Sequence, residues 1–160
     1  MNIENVCNDF TLGSLLDVIK TELSAKHLIS VLFLALTIPD ICCGRNTGRQ
    51  KYTEWFDEWV VCGNPKPVIS GSICYDIRCS ILHSGSTNKG FSISCDSRNN
   101  IHLGHIVSIV TDNCTGVQDK NIRVNINELV ENILSGAERF IENNGDIELF
   151  QLMDYGRIEE

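Results

Sequence analysis

Tyr75-Asp76-Ile77-Arg78-Cys79-Ser80-Ile81 runs directly into Leu82-His83-Ser84-Gly85. Wound at about 100° per residue, Ile77, Ile81, Cys74, Leu82 and Tyr75 make one apolar arc, the pattern of a helix with a face in a core. Arg78 falls inside that arc. A guanidinium keeps its charge at any ordinary pH, so an arginine on an apolar face needs a carboxylate, a phosphate or a partner surface to meet it. Asp76, Cys79 and His83 share the neighbouring face. One helix therefore carries a permanent cation, a group that titrates near neutrality and an acid within about two turns. Gly85 is placed to end it, and Ser70 or Ser72 to cap its start.

Outward from this segment the chain reads as mainly helical. Leu12, Leu15, Leu16, Ile19 and Leu23 recur on one face and predict a helix over 10–24, with Asn8 and Asp9 as caps. The next helix, about 24–37, is apolar nearly all round, as expected of an element buried in the core or shared between the core and a dimer interface. Pro39 is expected to end it, and a connection from Cys42 to Gly48 follows. A third helix, about 49–61, carries Tyr52, Trp55, Phe56, Trp59 and Val60 at spacings of three and four, either as core or as a base-stacking platform.

After Gly85 the period changes. Phe91, Ile93 and Cys95 alternate with serines, and beyond a polar turn at 97–100 Ile101, Leu103, Val107 and Ile109 continue the alternation, which predicts an antiparallel hairpin. His105 lies in its apolar phase and His102 opposite, both as structural histidines. A short strand through Ile122, Val124 and Ile126 precedes the clearest helix, about 127–143, which buries Leu129, Val130, Ile133, Leu134, Ala137, Phe140 and Ile141 and stops at Gly145. The expected architecture is one mainly α (α+β) domain: a helical part over about 8–88, a small antiparallel sheet over about 89–126, a C-terminal helix over about 127–145 and an acidic tail over 146–160 whose last dozen residues fray.

A chain of 160 residues with 42% hydrophobic and 21% charged residues is an ordinary globular composition, large enough to bury a core without staples. Its net charge of −8 argues against general polyanion binding. The charge is uneven. Residues 127–160 hold nine acids against Arg139 and Arg157, whereas residues 41–52 hold Arg45, Arg49 and Lys51 with no acid, so an RNA-facing surface should include that basic segment. The eight cysteines are expected as reduced thiols in the cytoplasm. The most apolar run, Leu28 to Ile38, is too short to span a bilayer and too deep in the chain for a standard signal peptide, and no membrane role is expected. Cys42, Cys43, Cys62, Cys74 and Cys79 lack the paired spacing of a structural zinc site, so neither a metal nor a cofactor is expected.

The string Arg78-x-x-x-x-His83-x-Gly85, late in a small helical protein, resembles the signature of the HEPN superfamily, whose members are often metal-independent RNA-cleaving domains. The resemblance covers residues 70–85, and the preceding helices by order and length. Where that family usually has Asn, Asp or His after the arginine, this chain has Cys79. The resemblance implies a HEPN-like antiparallel helical bundle and a homodimer whose two motifs face one cleft. It implies Arg78 and His83 as the catalytic pair and 2′,3′-cyclic phosphate ends on the cleaved RNA. A base for the 2′-hydroxyl suits His83, and a bidentate donor for the phosphate suits Arg78. Asp76 is expected to orient the imidazole, with Ser80 as a weaker supporting candidate. Two other readings stand beside this one. Arg78 and His83 instead secure a non-catalytic dimerisation or nucleotide-binding module, or Arg78 merely ties the helix to an acidic neighbour while His83 caps its end.

Overall fold

The computed structural model describes residues 10–44, 46–66, 68–85, 91–94, 106–111 and 118–149. Five helices dominate them: α1 (Leu12–Ser24), α2 (Leu28–Cys43), α3 (Arg49–Phe56, continued by a π-helical turn Asp57–Val61), α4 (Gly71–Ser84) and α5 (Ile126–Asn144). The mainly helical class is as expected. Leu16 and Ile19 of α1, Leu32 and Leu36 of α2, Tyr52 and Phe56 of α3, Ile77 of α4 and Ile133 of α5 are all essentially fully buried in a single cluster. Four of the five residues of the third helix's stripe, which the sequence left open between core and stacking platform, are thus resolved as core: Tyr52, Trp55, Phe56 and Val60 are buried.

Two expectations for α2 are corrected. The helix starts at Leu28, after a turn in which Lys26 takes a positive φ of 63°. It also runs through Pro39 to Cys43. A proline leaves the Ala35 carbonyl without its usual donor, at a cost of about 3 kcal/mol in a helix interior. Ala35, Leu36 and Ile38 are completely buried around it, and that packing holds the segment helical. The consequence is positional: Asp40 becomes part of the last turn of a rigid helix, facing α4, instead of a loop residue.

The π turn positions α4. Widening the last turn of α3 brings Asp57 to the start of α4, where its Oδ1 accepts the Gly71 N–H at 2.6 Å. Ser70 stands at the N-cap but makes no capping bond with its side chain, so a neighbouring helix does the work assigned to the local serines. Gly71 is required there, because a Cβ would stand 2.5 Å from the Thr53 carbonyl oxygen. At the other end Gly85, at φ 59°, closes α4 with its N–H on the Ile81 carbonyl at 3.0 Å.

The strands β1 (Phe91–Ser94), β2 (Ile106–Thr111) and β3 (Gln118–Asn125) form a sheet in the order β1-β3-β2. The expected hairpin between the first two is corrected: β1 runs parallel to β3, Phe91 opposite Ile122, and β2 runs antiparallel to β3, Val107 opposite Ile122. The sheet is therefore mixed rather than antiparallel. Alternation reports which residues are strands and leaves their neighbours undetermined; the longest strand takes the centre, where both edges are paired. His102, His105 and Cys95 lie outside the described residues.

Helix α5 begins where Asn125 accepts the Asn127 and Glu128 N–H groups. After Gly145 the chain turns back on the start of α1: Leu12 N–H meets the Ile147 carbonyl and Leu149 N–H the Phe10 carbonyl, both at 2.8 Å. The stretch 146–149, expected as the start of the acidic tail, is thus a clasp; 150–160 lie outside the described residues. Among the described residues no helix is long and apolar enough to cross a membrane.

Candidate functional site

Arg78 and His83 meet at the open end of α4. Nη1 of Arg78 lies 3.0 Å from Nε2 of His83, which is exposed. The helix explains the encounter, since positions five apart are brought close when the long arginine side chain reaches along the last turn. A guanidinium only donates, so the contact assigns the acceptor role to the ring nitrogen it touches and, in a neutral imidazole, the proton to Nδ1.

The carboxylate that Arg78 requires is Asp40. Arg78 Nε donates to Asp40 Oδ2 at 3.0 Å and Nη2 lies 2.9 Å from the same oxygen, with the two side chains only 20% and 22% exposed. Burial alone works against the charged guanidinium, but the Asp40 charge and its hydrogen bond outweigh it and leave Arg78 above its usual value. Asp40 is the residue of the candidate site that sequence reasoning missed. Its signal was the arginine inside an apolar arc, which called for an acid without saying which one, and the expected stop at Pro39 hid the answer.

Asp76, expected to orient His83, is engaged elsewhere. Arg49 Nη1 and Nη2 grip its two carboxylate oxygens at 2.6 and 3.2 Å. Between the two arginines stands Tyr75, its ring 5.4 Å from the Arg49 guanidinium carbon and 6.0 Å from that of Arg78, with Tyr52 edge-on beneath at 5.3 Å. Cys79, at the position after the arginine, places Sγ 4.0 Å from Arg78 Nη1. A hydrogen bond with Cys79 is also the largest cause raising the Tyr75 phenol above its usual value.

The remaining candidates divide. Arg49 joins the cluster through Tyr75. Ser80 is 4% exposed, too deep for a substrate to reach. Lys51 lines a different groove, with Glu54, Glu58, Trp59 and Phe140. Arg45 lies outside the described residues. Among the described residues no group of three or more histidine, cysteine or acidic side chains is arranged to hold a metal ion. Cys42, Cys43, Cys62, Cys74 and Cys79 are free thiols. Burial pushes Cys42, Cys43 and Cys74 up, the last to about 12, which makes these three poor nucleophiles at neutral pH.

No family model, curated protein or solved structure matches the chain.

Proposed function

We propose that this protein is a metal-independent endoribonuclease of the HEPN type, a HEPN-like bundle that acts as a homodimer in a cytoplasmic stress or defence system. The contact between Arg78 and His83 carries the reading: two groups suited to phosphate binding and proton transfer touch at the exposed end of one helix. In the reaction the Arg78 fork holds the scissile phosphate and His83 takes the proton of the 2′-hydroxyl. The 2′-oxygen bonds to phosphorus, the bond to the 5′-oxygen breaks, and the departing oxygen takes a proton from water. A 2′,3′-cyclic phosphate remains, and DNA, which lacks the nucleophile, is spared. The homodimer draws support from exposed apolar side chains on the first two helices, Ile29 at 61%, Val18 at 42% and Phe33 at 38%.

A second reading is favoured by a separate observation. Asp40 and Asp76 already offset both guanidiniums of the cluster. On this reading the same residues belong to a non-catalytic HEPN-like module for dimerisation or nucleotide binding.

Cleavage of varied RNAs in the presence of EDTA separates the two. His83→Ala and Arg78→Ala should each lower the rate by about 10² or more while the protein stays folded, and light scattering should report a dimer. Intact RNA with the wild type, or undiminished cleavage by His83→Ala, leaves the binding module as the reading; a monomer at micromolar concentration removes the shared cleft.

A further inference from the structure

Asp40, Arg78 and His83 form a chain in which each member fixes the next. Asp40 Oδ2 engages Nε and Nη2 of Arg78, the edge of the guanidinium away from the imidazole, and thereby turns Nη1 toward His83 Nε2. That contact has a chemical cost for a base. The lone pair that would accept a proton is occupied by a donor that never gives up its charge, and the ring offers its Nδ1–H to solvent instead.

We infer that Asp40 is a positioning residue acting through Arg78: it holds His83 locked in the Nδ1–H tautomer with Nε2 masked, and an oxyanion entering the Arg78 fork takes over Nη1 and releases the ring from that lock. The inference rests on the proposed role of Arg78 and His83 and adds a regulation of that same site. Its physical basis is competition for one donor. A phosphate oxygen carries charge and is a stronger acceptor from a guanidinium than a neutral imidazole nitrogen, so the anion displaces the ring. Asp40 makes the exchange reversible, because Nε and Nη2 stay anchored while Nη1 changes partner. Among the described residues no second acid substitutes for it, since Asp76 is held by Arg49 on the far side of Tyr75.

The imidazole nitrogens can be read directly, without RNA, by long-range nitrogen–proton NMR on the full chain at pH about 8.5, two units above an ordinary histidine. His83→Ala assigns the signals. In the wild type His83 should carry its proton on Nδ1. Inorganic phosphate should shift the ratio of the two tautomers toward the Nε2–H form by about fivefold, the weight of one hydrogen bond. Asp40→Asn should produce a shift of that size with no phosphate present, and Asp76→Asn should not. A wild type with its proton on Nε2, a ratio indifferent to phosphate, or an Asp40→Asn protein with the wild-type ratio each overturns the inference. Should Asp40→Asn fail to fold, the phosphate titration of the wild type decides alone. Cleavage plays no part in these measurements, so the nuclease reading and this one fail separately.

Discussion

Two arginine–carboxylate pairs meet on α4, Arg78 with Asp40 and Arg49 with Asp76, and their geometry and their depth point in opposite directions. The Arg49 pair has the better fork, both nitrogens on both oxygens, but its side chains are 54% and 44% exposed. The Arg78 pair converges on one oxygen, and its side chains are 20% and 22% exposed. Water and salt compete with the first at every moment, whereas the second sits where little solvent can replace a lost partner. Depth, more than the number of hydrogen bonds, decides which pair fixes a side chain in place. The candidate site is accordingly organised by the pair of poorer geometry.

Breaking the deeper pair should have the largest effect on stability. Asp40→Ala leaves Arg78 in a partly buried position without its acid, and the expected loss is about 2 kcal/mol, the worth of hydrogen bonds to a charged group. Urea unfolding at low salt and at about 0.5 M salt, several times above physiological screening, should give nearly the same loss. The double change Asp40→Leu with Arg78→Met should recover most of it, since the penalty lies in the uncompensated charge rather than in the missing pair. An Asp40→Ala protein as stable as the wild type would mean that depth is not what distinguishes the two pairs.

How much of this was legible depended on the range of the cause. The apolar arc of α4, the stop at Gly85 and the buried face of α5 are set by residues three and four apart, and the sequence carried them. The Arg78–His83 contact is likewise local. Three features depend on what lies across the fold. Pro39 reads as a helix end until Leu36, Ile38 and their core neighbours outweigh its missing donor. Asp57 caps α4 from a π turn, for which no short pattern stands in the sequence. The exchange of acids follows from these: Asp76 is the acid nearest Arg78 along α4, but Asp40, 38 residues away, is the one that reaches it. Strand order was illegible for the same reason, because alternation fixes faces and not neighbours.

The floor beneath both pairs supplies an intermediate effect. Tyr52 stacks edge-on against Tyr75, which carries both guanidiniums, and its buried hydroxyl donates to the Leu36 carbonyl at 3.1 Å. Tyr52→Phe should cost about 1 kcal/mol at neutral pH. Its alkaline signature is more specific. Burial, foremost, raises the Tyr52 phenol well above its ordinary 10.0, and burial raises the Cys74 thiol from 9.0 to about 12. The unfolded chain therefore releases these protons first as pH rises, while the folded chain retains them. Their contribution is complete below about pH 9 and is lost as pH climbs from there toward 12. Urea unfolding at neutral pH and above pH 10 should show the wild type weakening, and Tyr52→Phe weakening less. Parallel pH profiles would mean that Tyr52 ionises as readily folded as unfolded.

The smallest effect is expected at the exposed pair, and it is the sharpest control. Arg49→Ala would remove both the carboxylate contact and the cation over Tyr75, so Asp76→Asn is the cleaner change: it deletes the acid's charge and leaves the guanidinium on the ring. Arg49 is raised above its usual value by its hydrogen bond with Asp76, yet more than half of its side chain is exposed, where water replaces the carboxylate and salt screens what remains. Holding two long side chains in one geometry also costs rotamer freedom, which offsets much of the attraction. The urea midpoint of Asp76→Asn should fall within the scatter of the wild type. Any small difference at low salt should vanish at about 0.5 M, well beyond the screening of physiological salt. A loss comparable with that of Asp40→Ala, persisting in salt, would show that the bidentate fork outweighs depth and would make Arg49, rather than Arg78, the anchored cation of the cluster.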